Sequence, residues 1–91
     1  MEIQHDTAER RFVIQLPGGA AVLAYEAAGP GLVDFYSTYV PPPERGRGVA
    51  AKLVRAGVTF ARAEGLRIVP SCWYVRRWLE AHPEEHDLVA P

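Results

Sequence analysis

The chain reads as a mixed α/β domain: an antiparallel β-meander, then a helix, a strand and a second helix around one sheet. Three observations predict this. Alternating and β-branched runs come early and are separated by Gly/Pro turns. The apolar period changes from that of a strand to that of a helix after Pro41-Pro42-Pro43. A short apolar run then separates two helical stretches.

Ile3 to Asp6 is a weak candidate for a leading strand. Arg11 to Leu16 alternates about Phe12, Ile14 and Leu16 and predicts a strand. Pro17-Gly18-Gly19 marks a turn. Ala20 to Ala27 predicts the next strand, with Val22, Ala24 and Glu26 on one face and Leu23 and Tyr25 toward the other. Gly29-Pro30-Gly31 turns the chain again, and Leu32 to Val40 predicts a third strand. The three prolines stop it, because proline donates nothing to a ladder and restricts the residue before it. Backbone groups near Val40 are thereby left for a ligand.

Val49 to Glu64 predicts a helix. Val49, Leu53, Ala56 and Phe60 make an apolar stripe that Ala50, Val54 and Ala61 widen. Lys52, Arg55, Thr59 and Arg62 lie opposite as a solvated face. Gly57 weakens this helix by about 1 kcal/mol relative to alanine. Gly65 stands where a C-terminal cap belongs. Leu66 to Pro70 predicts a short buried strand, and Tyr74 to Ala81 a second helix that His82-Pro83 ends.

The length of 91 residues predicts one domain, 1–91. Ten Lys+Arg against 11 Asp+Glu give a net charge of −1, which argues against a dedicated nucleic-acid or anionic-membrane binder. The single Cys72 forms no intramolecular disulfide. No apolar run reaches about 18 residues, and Met1-Glu2-Ile3-Gln4-His5-Asp6 has no apolar leader core. A soluble cytoplasmic protein is expected.

Function is most legible in Arg45-Gly46-Arg47-Gly48-Val49-Ala50, an R-x-x-G-x-A run that opens the longer helix. Glycine lets backbone approach a ligand closely, and the first helical N–H groups point at an anion. The helix dipole adds about half a unit of positive charge. Arg45 and Arg47 supply further donors. The plain alternative is an ordinary glycine-containing helix start with two exposed arginines. The run is neither a dinucleotide fingerprint nor a P-loop, because G-x-G-x-x-G and G-K-[ST] are both missing.

With Val40-Pro41-Pro42-Pro43-Glu44 before this loop, Leu66-Arg67-Ile68-Val69-Pro70-Ser71-Cys72 and Tyr74-Val75 after it, and His82-Pro83-Glu84 at the end, the chain resembles the GNAT superfamily of N-acetyltransferases. It is most similar to a small single-domain branch of about this chain's length. The resemblance runs from about Val40 to Val89; the front half fits by its strand pattern. It implies that acetyl-coenzyme A binds, with Val40 pairing its backbone to the pantetheine arm, Arg45 to Ala50 holding the pyrophosphate, and Cys72 close to the thioester. Three positions depart from the family. Ser37 and Tyr39 stand where the branch carries His and Glu, and Leu79 stands where many members carry an acidic tyrosine.

Cys72 precedes a helix start, where a thiol is acidified and becomes a candidate nucleophile or acid/base. Its plain alternative is a small buried apolar side chain. Tyr39 and Tyr74 are candidate proton-transfer groups, against core or rim packing. Glu44 reads as a cap or charge at the loop start rather than a base. His5 is placed by nothing in the sequence, and Trp73 and Trp78 read as packing residues. His82-Pro83-Glu84-Glu85-His86 matches H-x-x-E-H, but Pro83 breaks the continuous helix which that zinc motif needs. It is read as a tail turn, with no metal site and with Glu84, Glu85 and Asp87 as solvated charge.

The expected activity is acyl transfer from acetyl-coenzyme A to an amine on a protein or a small molecule. The alternative is a non-catalytic coenzyme A or acyl-coenzyme A sensor. An RNA-contacting loop is a weaker third reading, against which the net charge counts.

Overall fold

The computed structural model describes residues 1–91. Its order is β1 (Gln4–Asp6), β2 (Arg11–Leu16), β3 (Gly19–Ala27), β4 (Leu32–Tyr39), α1 (Val49–Ala63), β5 (Arg67–Val69) and α2 (Trp73–Glu80). Short 3-10 turns follow β4 at Pro42–Glu44 and α2 at Pro83–Leu88. The strands form one sheet in chain order. β1 to β4 are antiparallel, and β5 lies parallel to β4. Tight turns suffice for the meander, whereas a parallel fifth strand needs a crossover, which α1 provides. This is the predicted fold class, and the weak leading strand forms as β1.

Alternation sends Phe12 and Ile14 of β2, Leu23 and Tyr25 of β3, and Val33 and Phe35 of β4 into one core with α1 and α2. The apolar stripe of α1 is rotated from the one expected. Val49, Leu53, Val54, Gly57, Val58 and Ala61 are buried, while Ala56 and Phe60 are half-buried at its edge. Gly57 explains the rotation. A Cβ there would stand 2.9 Å from Leu23 Cδ2 and 3.0 Å from Phe35, so α1 lies against the sheet at a distance only glycine permits. Phe60 instead closes an aromatic group with His5, Phe12 and Tyr25, at ring separations of 4.6, 5.8 and 5.6 Å.

Gly65 ends α1 as expected, at φ +68°. The Leu66 N–H donates to Ala61 O at 2.8 Å and the Gly65 N–H to Arg62 O at 3.2 Å, the paired bonds of a Schellman cap.

The tail corrects one expectation. Glu85 is buried rather than solvated; it accepts from Arg55 Nη1 at 2.9 Å and Arg62 Nη2 at 2.8 Å. The Arg62 hydrogen bond, with help from Arg55, holds its carboxyl below the usual glutamate range. His82 Nδ1 and His86 Nε2 donate to the Trp78 and Leu79 carbonyls at 2.7 and 2.8 Å, so both rings close the end of α2. Trp78 packs as expected, between the His82 ring at 3.7 Å and the Arg55 guanidinium at 4.7 Å. No helix is long and apolar enough to cross a membrane.

Candidate functional site

After Pro41 the chain makes one 3-10 turn and enters the glycine loop. Gly46 and Gly48 both take left-handed backbone, at φ +81° and +75°, which only glycine adopts cheaply. Gly48 caps α1 with no side-chain acceptor, and no acidic residue stands in the first turn. The N–H groups of Gly46, Arg47, Gly48, Val49, Ala50 and Ala51 make no hydrogen bond within the chain; the next, on Lys52, donates to Gly48 O at 3.2 Å. Nothing lies within 4 Å of where a Cβ would stand on Gly46 or Gly48. Free donors, an uncompensated helix dipole and open space are what a phosphate requires. The residues present therefore fit a pyrophosphate.

The loop is braced from beneath. Glu44 is buried; its Oε2 accepts the Gly18 N–H at 2.8 Å, and its Oε1 lies 3.7 Å from Arg47 Nη1. It ties the loop to the β2–β3 turn and caps neither helix start, a contact the sequence does not announce. Arg45 turns back and donates Nε to Val40 O at 2.8 Å. One of the arginine's donors is thus spent on the chain, and the Val40 carbonyl with it, while the Val40 N–H makes no bond within the chain.

β4 carries a bulge. Ala24 pairs with Ser37 but Tyr25 pairs with Phe35, so Tyr36 is an extra residue. The bulge resets the alternation and puts Thr38, opposite Leu23, on the same face as Phe35. Beyond Asp34 and Val69, β4 and β5 part. The Cys72 N–H takes the Phe35 carbonyl at 2.9 Å, and past that point β4 has no strand on this edge.

A cavity of about 540 Å³ opens between the end of β4, the loop and the start of α2. Thr38, Tyr39, Val40, Glu44, Arg45, Gly46, Gly48, Val49, Ala50, Trp73 and Tyr74 line it. Two residues that the sequence assigns to the cofactor site are absent from its wall. Arg47 points to solvent, with its side chain 68% exposed. Cys72 is buried directly behind the wall, with its Sγ 3.4 Å from Thr38 Oγ1. Burial pushes this thiol up, but the Thr38 hydroxyl and the Val75, Tyr74 and Thr38 backbone groups outweigh burial and hold it below its usual value.

Tyr39 is half-exposed on the wall, and Tyr74 stands beside Trp73 at 5.8 Å. Trp73 does not pack into the core as expected. It is 65% exposed at the first position of α2, on the cavity rim. Leu79 is buried in the core and offers no acid. His5 lies outside the cavity lining, with Nε2 2.6 Å from the Tyr25 hydroxyl and its ring stacked on Phe12 at 4.1 Å. Thr38 carries no mark in the sequence, because only the bulge turns it inward.

Residues 11–88 match the family model for GCN5-related N-acetyl-transferases. Protein NATD1 of Bos taurus is 38% identical over 85 residues, covering 91% of this chain and 75% of that one. Protein NATD1 of Danio rerio is 36% identical over 90 residues, covering 97% and 82%. The NMR solution structure of a GCN5-like protein from Staphylococcus aureus superposes with a TM-score of 0.80 at 28% identity, covering 98% of this chain and 87% of that one. The match spans the meander, the glycine loop and both helices. The chain belongs to the GCN5-related N-acetyltransferase family.

Proposed function

We propose that the chain binds acetyl-coenzyme A through the glycine loop and transfers the acyl group to an amine, on a protein or a small molecule. The observation that carries this is the run of unbonded N–H groups from Gly46 to Ala51 at an uncapped helix start. These amides would hold the pyrophosphate, and the outward Arg47 adds charge at the rim. The Val40 N–H is a free donor for the pantetheine arm or for a developing oxyanion. The cofactor supplies an activated acyl thioester. The chain supplies the rest: a groove that fixes its reach, aromatic side chains along its rim, and a fixed thiol behind Thr38.

Family membership supports acyl transfer in general. One observation favours the sensor reading as second: Leu79 is buried, Cys72 stands behind the wall, and Glu44, the one carboxylate in the lining, is engaged by the Gly18 N–H and Arg47, so no free carboxylate or thiol faces the cavity. Thiol release from acetyl-coenzyme A with an amine panel separates the two. Release above buffer hydrolysis supports the enzyme, and binding without release supports the sensor. Cys72→Ala retaining the wild-type rate would remove the thiol from the chemistry.

Gly48→Glu tests the site itself. It puts a carboxylate among the amides and strains one left-handed residue at a cost of about 1–2 kcal/mol. We expect a folded protein whose coenzyme A affinity falls at least about a hundredfold, which is about 2.7 kcal/mol. Unchanged affinity by calorimetry would move the pyrophosphate elsewhere.

A further inference from the structure

We infer that Asp34, acting through the Ser71 hydroxyl, is a positioning residue for the Cys72 thiol. The inference rests on the proposed reading that this thiol adjoins the acyl site. Two adjacent residues of β4 grip two adjacent residues ahead of α2. Asp34 Oδ2 accepts the Ser71 hydroxyl at 2.9 Å, and Phe35 O accepts the Cys72 N–H at 2.9 Å. The clasp begins where the β4–β5 ladder ends, at Asp34 and Val69. No ladder bond holds the pre-helix turn from there on; these two bonds tie it to β4, alongside the Thr38–Cys72 contact and the core packing of α2.

That position matters because the thiol depends on distance. Its Sγ reaches Thr38 Oγ1 at 3.4 Å, and the backbone at Tyr74 and Val75 sustains it from α2. A turn that drifts by an ångström loses these donors, since hydrogen bonds weaken steeply with distance and angle. The charged groups at this turn are Asp34 on β4 and Arg76 on α2, whose Nη2 lies 3.4 Å from Ser71 O. Tyr74 is the other titratable group at the helix start. The donors that lower the thiol are all uncharged.

Asp34 Oδ1 is a buried oxygen with no hydrogen-bond partner within the chain, the only such side-chain atom in the molecule. Polar satisfaction alone gives no reason for a carboxylate there.

The test follows the alkylation rate of the thiol with pH, which isolates this group because Cys72 is the only cysteine. Ser71→Ala and Asp34→Ala should move the titration to higher pH. The thiolate fraction at pH 7, and the alkylation rate with it, should fall about three- to tenfold. Ser71→Thr and Asp34→Asn keep the hydroxyl and its acceptor and should stay near wild type. The double alanine variant should shift no further than either single one. Thr38→Val, which removes a direct donor, serves as the positive control.

A purely structural Asp34 would lower the melting temperature and leave the thiolate titration of the folded variants in place, which overturns the inference. A direct charge effect would lower the thiol pKa in Asp34→Ala and Asp34→Asn alike, the opposite sign, and also overturns it. Should Asp34→Ala fail to fold, the Ser71→Ala and Ser71→Thr pair decides. Coenzyme A affinity measured on the wild type tests the cofactor reading separately, and its loss leaves the titration result standing.

Discussion

Three glycines do different work at the residue scale. Gly46 and Gly48 bend the loop left-handed and keep its amides open. Gly57 has ordinary helical backbone and serves packing instead. Helix propensity alone favours alanine there by about 1 kcal/mol. The contacts of 2.9–3.0 Å that a Cβ would make with Leu23 and Phe35 oppose this, and overpacking a core costs about 1–3 kcal/mol. We therefore expect Gly57→Ala to destabilise the protein by about 1 kcal/mol in a urea melt. A stabilised variant would mean that α1 can lift from the sheet freely.

The elements differ in how plainly the sequence announces them. β2, β3 and α1 carry clear periods, and each forms within a residue or two of its expected bounds. The glycine loop was legible because its residue types permit little else. Thr38 was not. Tyr36, Ser37, Thr38 and Tyr39 are all amphipathic or polar, so no alternation reveals which residue the bulge makes extra. Trp73 hides for a related reason, since an aromatic beside Tyr74 and Val75 looks like a packing residue until the start of α2 is located.

Glu85 reads as solvated within an acidic run because its partners lie 30 and 23 residues away. Its carboxyl is held low in the folded chain, so its contribution is fully present above the unfolded glutamate pKa. It is lost as pH falls through the lower folded value. Glu85→Gln should cost about 1 kcal/mol at pH 7, a modest figure because both arginines are half-exposed. The difference from wild type should vanish at a pH below the folded value. A pH-independent difference in denaturant melts would assign the effect to packing.

For the whole molecule, the site is assembled before any ligand arrives. The sheet holds β4, Glu44 ties the loop to the β2–β3 turn, and α1 is anchored in the core along its length. Binding thus orders little and should register as added stability. Coenzyme A at about 100 times its dissociation constant adds about 2.7 kcal/mol, a rise of about 10–20 °C for a domain of this size. Gly48→Glu should lose that rise, starting from a melting temperature that the backbone strain at φ +75° lowers by about 4–16 °C.

The central claim concerns the amides that open α1, and an amide-resolved titration tests it most directly. With coenzyme A added to isotope-labelled protein, the largest shifts in the ¹H–¹⁵N spectrum should fall on Gly46 to Ala51. Val40 should follow, and β1 should stay still. Largest shifts remote from that loop, or none with millimolar coenzyme A, would contradict the account.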